Sequence, residues 1–235
     1  MKPKLNTVII GAGGVASYML PALNNSFALT GHIIDADILE EHNLDRQIFP
    51  KHAIGKPKAE QLIRYHNCRG LKAVVEYITD TFSHVDIKNV DVLICLVDNH
   101  PARRAALAMA RTLKCPIVIG ANEYTTSQAI YWNPTWPSSS SPLFRYPNMA
   151  TSEEGSPIRC TGEALESDPQ LAVANQVSAA FVNYLLWLWH GENGYSELQP
   201  TKQLFAPVEF QSTFGKMQSF NLLDTHPDDD SDCSE

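Results

Sequence analysis

The sequence predicts a wound α/β fold: a mainly parallel sheet flanked by helices, followed by a late helix and additional strands. Three observations predict it. Short β-branched apolar runs alternate with helical patterns through the first half, a glycine-rich turn follows the first run, and the second run ends in an aspartate. Leu5 to Ile10 is the first strand, and Val15 to about Ala28 the helix after the turn. His32 to Ile34 is a second strand closed by Asp35. Lys56 to Asn67 reads as a helix with Ala59, Leu62 and Ile63 on one side. Val74 to Ile78 and Val92 to Val97 are two further strands. Pro101 to Leu113 is an alanine-rich helix with proline in its first turn. Ile117 to Ile119 and Ala129 to Trp132 follow as strands, Leu171 to Trp189 as a helix, and Lys202 to Phe214 shows weak strand alternation.

Length and composition narrow the class. The 235 residues suffice for one sizeable domain and are short for two. With 44% hydrophobic and 19% charged residues, a packed core is expected and global disorder is excluded. Lys plus Arg number 18 against 26 Asp plus Glu, a formal net charge of −8. Six of those acids fall between Asp224 and Glu235; removing them leaves 20 against 18, or −2. The body is therefore nearly neutral, without the basic footprint of nucleic-acid binding. The expected organisation is one domain over residues 1–222 and an acidic, disordered tail over 223–235. Five prolines between Asn133 and Arg159, with the serine run Ser138 to Ser141, predict a long mobile loop over 133–159. A strand starting at Leu5 leaves no room for a signal peptide, and the apolar stretch Leu185 to Trp189 follows Asn175, Gln176, Ser178 and Asn183. That stretch reads as a buried helix, so a cytoplasmic protein with no membrane partner is expected. Cysteines at 68, 95, 115, 160 and 233 form no CxxC pair, which argues against a disulfide framework and a four-cysteine zinc site.

The turn GAGGVAS, Gly11 to Ser17, opens the first helix of a Rossmann-like unit. Glycines there let a backbone approach closely, and exposed N–H groups at a helix start attract phosphate. Asp35, 24 residues after Gly11, ends the second strand where a carboxylate accepts from ribose hydroxyls. Ala16 stands in the third glycine position of the dinucleotide fingerprint, an accepted variant, and no GxxxxGK[ST] loop is present. This pattern by itself fits NAD as readily as ATP.

Four ordered motifs narrow the choice. They are DxD at Asp35 and Asp37, NLDRQ at Asn43 to Gln47, GKPKAE at Gly55 to Glu60, and LVDNHPAR at Leu96 to Arg103. With them the chain resembles the ubiquitin-activating-enzyme-like adenylation family, the group containing ThiF and MoeB, across roughly residues 5 to 190. Within it the pattern is most similar to ThiF-like proteins of bacterial operons, including the PRTRC plasmid system. The resemblance implies that the terminal carboxylate of a ubiquitin-like or sulfur-carrier-like protein attacks the α-phosphate of ATP, giving an acyl-adenylate and pyrophosphate. Both reactants are anionic, so fixed cations are the first requirement. The matching positions imply Arg46 and Lys58 as phosphate clamps, Asp98 as the Mg²⁺ ligand, Asp35 on the ribose, Asn43 and Gln47 at the phosphates, and Arg103 in support. Gly11, Gly13 and Gly14 would cradle the nucleotide. Asp98 has a second reading, as the cap of the helix near Pro101. Asp37 either approaches the phosphates or caps the next turn. Arg46 and Lys58, each alone, would pass for solvated surface charges.

Relatives carry a cysteine that receives the activated acyl group, and Cys160 matches that region. A loop thiol near a helix start is a competent nucleophile; the bland reading is a spectator. Cys95 and Cys115 look buried, Cys68 sits at a helix end, and Cys233 lies among acids that disfavour its thiolate. Two departures stand out: the CxxC pairs that bind structural zinc in many relatives are missing, so no zinc is expected, and only Met1 to Lys4 precede the first strand. A homodimer is expected by analogy. The competing readings are activation of a tRNA or small-molecule carboxylate, a nucleotide-binding interaction scaffold without turnover, and, more weakly, an NAD dehydrogenase.

Overall fold

In the computed structural model, residues 2–78, 87–122, 126–152, 171–191, 208–213 and 216–221 are described. The central strand β1 (Lys4–Ile10) is buried over its last four residues, as expected of a parallel strand covered on both faces. It pairs in parallel with β2 (Ala28–Ile34) on one side and β4 (Val92–Cys95) on the other, with β3 (Leu71–Val74) beyond β2. β5 (Ile117–Asn122) continues in parallel from β4. From there the sheet turns antiparallel through β6 (Thr126–Trp132), β7 (Val208–Thr213) and β8 (Lys216–Asn221). The order β3-β2-β1-β4-β5-β6-β7-β8 makes one eight-stranded sheet. Its chain order reverses between β1 and β4, the place where such sheets open a crevice at their carboxyl ends.

Helices cover both faces. α1 (Gly14–Ser26), α2 (Lys58–Tyr65) and the late helix α6 (Ala172–His190) pack with Leu5, Ile9 and Ile33 into one core layer. α3 (His100–Leu113) packs Ala106, Leu107 and Met109 against Val8, Ile10, Leu93 and Ile117 on the other face. No helix among the described residues is long and apolar enough to cross a membrane.

The expected fold class is present, with three corrections. The strand read over Val74 to Ile78 lies earlier, at Leu71–Val74, because its register with β2 ends at Ile34↔Val74. Residues 133–152 of the stretch read as a loop contain three short helical pieces: Ser138–Ser140, α4 (Pro142–Arg145) and α5 (Pro147–Thr151). Pro142 and Pro147 sit in first turns, where their missing N–H costs nothing. β8 was not foreseen. Its sequence KMQSFN lacks a clean alternation, and pairing with β7 makes it a strand. Cys160 and Cys233, the rest of the proline-rich stretch and the acidic tail lie outside the described residues.

Candidate functional site

β1 ends in a turn that only glycine makes well. Gly11 has φ +97°, its N–H donates to the Ile34 carbonyl at 2.9 Å, and a Cβ there would lie 2.9 Å from the Leu96 carbonyl oxygen. This turn brings β1, β2 and the end of β4 together around a cavity of about 420 Å³, within the range of small-ligand sites. Ile10, Ile34, Ile78, Leu96 and Val97 give it apolar walls. Gly11, Gly13 and Gly14 line it at the start of α1, and Asp35 and Asp37 where β2 ends. Asn43, Arg46 and Gln47 line it from the next loop, Lys58 from α2 and Asp98 from the end of β4. All ten positions that the sequence assigned to nucleotide binding thus converge on one cavity, from five separate stretches of chain.

Local folding explains each placement. Asp35 Oδ2 accepts from the Ala12 N–H at 2.6 Å and Oδ1 from the Asp37 N–H at 2.7 Å, so the carboxylate is clamped by the turn it faces. Burial, reinforced by the neighbouring Asp37 charge, pushes the Asp35 carboxyl up to about 6. An antiparallel bridge, Ile38↔Pro57, closes the loop between β2 and α2. It sets the Lys58 N–H on the Asp37 carbonyl at 2.9 Å, and the Lys58 Nζ lies 2.9 Å from Asp37 Oδ2. Lys58 is only 6% exposed, so this ion pair holds a charge that would otherwise be costly to bury. Asp37 thus lines the cavity and also holds Lys58 there.

The NLDRQ loop is a 3-10 turn, Glu41–Asp45, closed by a capping box between Glu40 and Asn43. Asn43 Oδ1 accepts from the Glu40 N–H at 3.0 Å, and its Nδ2 lies 3.0 Å from His42 Nε2. Asn43 therefore shapes the turn that carries Arg46. The Arg46 Nη1 donates to the His42 carbonyl at a long 3.4 Å. Arg46 Nε and Gln47 Oε1 are buried without a partner among the described residues.

Helix α3 settles the two uses of Asp98. Its cap is Asn99, whose side chain accepts from the Ala102 N–H at 2.8 Å, so Asp98 is not consumed in capping. Arg103 does not line the cavity. It is buried, and its Nε donates to the Val97 carbonyl at 3.1 Å, bracing the turn that carries Asp98.

The cavity also takes in residues that sequence reasoning missed: Glu76 and Tyr77 after β3, Asn122 at the end of β5, and Asn175 in the first turn of α6. The one signal for Asn175 was its place among the polar residues at the start of that helical pattern. The three described cysteines, Cys68, Cys95 and Cys115, are all buried, and burial pushes each thiol up to about 11. None of these three is an activated nucleophile.

Five carboxylates, Asp35, Asp37, Glu40, Glu76 and Asp98, face two fixed cations across this cavity. Such a balance does not by itself welcome a polyphosphate; a divalent cation would correct it. Among the described residues no group of three His, Cys, Asp or Glu could hold a metal ion alone. A hard cation sharing one carboxylate with phosphate oxygens needs no such group, and Asp98 fits that role.

The profile of the ThiF family matches residues 3–226. The chain belongs to the ThiF family. This ThiF-family chain is similar, at 42% identity over 64 residues, to the NEDD8-activating enzyme E1 catalytic subunit of Saccharomyces cerevisiae, covering 26% of this chain and 21% of that protein. The Caenorhabditis elegans NEDD8-activating enzyme E1 catalytic subunit is 31% identical over 110 residues, 41% of this chain and 24% of that protein. The matches thus span about a quarter or less of those relatives' length. Among solved structures, E. coli MccB with ATP has a TM-score of 0.64 at 17% identity, covering 92% of this chain and 62% of that one. PaaA has a TM-score of 0.62 at 15% identity, with the same coverage. At these identities the likeness is one of fold.

Proposed function

We propose that this ThiF-family chain is an ATP-dependent adenylyltransferase acting on the C-terminal carboxylate of a protein or peptide, with a ubiquitin-like or sulfur-carrier-like protein as its partner. The observation that carries the reading is the convergence of Arg46, Lys58, Asp35 and Asp98 with the glycine turn on one cavity. The names of the similar proteins, NEDD8-activating subunits and an MccB captured with ATP, support the same class.

In this reading the glycine turn and Asp35 hold the adenosine, and the apolar walls take the base. Arg46 and Lys58 neutralise the phosphates, so that the carboxylate oxygen approaches the α-phosphorus against less repulsion. The new O–P bond forms as the bond to the β-phosphate oxygen breaks, releasing pyrophosphate and leaving an acyl-adenylate. Asp98 would hold a magnesium ion, which would supply further neutralisation of the phosphate charge. The buried, unpaired Arg46 Nε is the kind of orphaned donor that an anion would satisfy. A second step is assigned to Cys160: its deprotonated sulfur bonds to the acyl carbon, AMP leaves, and a thioester results. A homodimer and a cytoplasmic location complete the proposal.

Exchange of labelled pyrophosphate into ATP tests the reaction, with a small protein ending in Gly-Gly as the carboxylate partner. Magnesium-dependent exchange that requires the intact carboxyl terminus is the expected result. A chain that binds no ATP sinks the proposal. ATP binding without exchange favours the scaffold, and AMP formation with tRNA favours the tRNA branch. A conjugate released by dithiothreitol, and lost in Cys160→Ala, is expected of the thioester step. Sedimentation equilibrium decides the dimer.

A further inference from the structure

We propose that Asn175, on the late helix α6, is a positioning residue that fixes Arg46 at the phosphate end of the cavity, so that polyphosphate binding depends on a helix far away in sequence. The inference rests on the reading of Arg46 as a phosphate ligand.

Asn175 lies 129 residues beyond Arg46 and is 1% exposed; its Nδ2 donates to the Arg46 carbonyl at 3.1 Å. The same amide sits on the first residue of α1. A Cβ at Gly14 would lie 2.4 to 2.6 Å from Asn175 side-chain atoms, so glycine at that position is what lets the amide reach the loop. The stretch from Arg46 is pinned again two residues on, where the Ile48 N–H donates to the fully buried Ser17 Oγ of α1 at 3.1 Å. The Arg46 backbone is thus held from α6 and the Ile48 backbone from α1.

The Arg46 side chain is treated differently. Its one hydrogen bond among the described residues is the long contact to the His42 carbonyl, and its Nε has no partner. A fixed backbone under a guanidinium left unsatisfied is the arrangement that preorganised charge stabilisation needs. A buried amide is costly where it makes no hydrogen bond, and Asn175 lies on the buried face of α6 with Ala174, Ser178 and Ala179. The bond to Arg46 accounts for a polar residue there.

The test is calorimetric titration of the full chain with magnesium-ATP and, separately, with adenosine. Wild type is compared with Asn175→Ala, Asn175→Asp, Arg46→Ala and the double variant Asn175→Ala/Arg46→Ala. Aspartate keeps the shape but faces the Arg46 carbonyl with an acceptor. Both Asn175 variants are expected to weaken ATP about tenfold, the scale of one lost hydrogen bond, while adenosine stays within about twofold. The double variant is expected to bind ATP no more weakly than Arg46→Ala alone. Unchanged ATP affinity, additive losses in the double variant, or loss of adenosine binding in both Asn175 variants would each overturn the proposal, the last in favour of a packing role. If Arg46→Ala leaves ATP binding intact, the phosphate-ligand reading falls and takes this inference with it. If Arg46→Ala weakens ATP and the Asn175 variants do not, this inference alone falls.

Discussion

At the carboxyl ends of the parallel strands, Arg46 Nε, Gln47 Oε1 and Asn122 Nδ2 are buried without partners among the described residues. Across the antiparallel strands, the buried Glu209 carboxylate on β7 is paired on both oxygens, accepting from Gln128 Nε2 and the Tyr146 hydroxyl. Burial, then the Glu209 charge, holds the Tyr146 phenol above its usual range, which keeps it a donor. Among the described residues, the Glu209 carboxylate finds its partners within the chain, while these three cavity atoms do not. The paired network behaves as part of a core, closing β6 and β7 onto the residues before α5. In the proposed function, a bound nucleotide would supply partners for the unpaired cavity set.

That contrast is breakable at several points. The largest effect belongs to the cavity cations: Arg46→Ala or Lys58→Ala is expected to slow pyrophosphate exchange by about 10²–10³, the scale of one preorganised charge donor. Folded variants of both that lose less than about threefold would remove the assignment. Next comes Glu209→Ala, which removes the acceptor shared by the Gln128 amide and the Tyr146 hydroxyl. Urea denaturation should read a loss of about 1–3 kcal/mol with ATP affinity unchanged. A change in ATP affinity there would mean that the two halves are not separable.

A smaller, pH-dependent effect follows from Asp35. Its carboxyl, normally near 3.8, is pushed up to about 6. Between those values the folded chain holds the proton more tightly than the unfolded one. The penalty for burying the charge is therefore complete above about pH 6 and fades as pH falls through it. Ribose recognition runs the other way, since the protonated group loses an acceptor. Adenosine, which has no phosphate titrating in this range, is expected to bind about tenfold more weakly at pH 5 than at pH 7, one pH unit past the midpoint. Asp35→Asn should flatten that profile, and a wild-type profile already flat would contradict the role. The smallest effect is Asn99→Ala, which removes the cap of α3 and should cost about 1 kcal/mol in thermal or chemical denaturation while leaving Asp98 in place.

Much of the site was legible because its motifs are local. The glycine turn, Asp35 and Asp98 each fall where a strand ends, so a strand pattern plus one residue type located them. Arg46 and Lys58 were legible as a pair through the NLDRQ and GKPKAE motifs that carry the family resemblance. The Asp37–Lys58 ion pair was not legible, because it depends on the Ile38↔Pro57 bridge folding Lys58 back onto Asp37. The residues after Val74 were misread for a related reason: Val75, Tyr77 and Ile78 suit a strand, but the pairing with β2 ends at Ile34↔Val74. Glu76, Tyr77 and Ile78 become cavity wall instead. Asp98 was left between two uses until Asn99 was seen to take one of them.

The sequence by itself determined the wound sheet, the turn that opens the cavity and the identities of its charged residues, because period, glycine conformation and charge are properties of short segments. Only the tertiary structure decided which polar atoms are satisfied. Hydrogen bonds such as Asn175 to Arg46, or Glu209 to Gln128 and Tyr146, join residues far apart in the chain, and whether a buried donor finds its acceptor depends on helices and strands meeting at fixed distances.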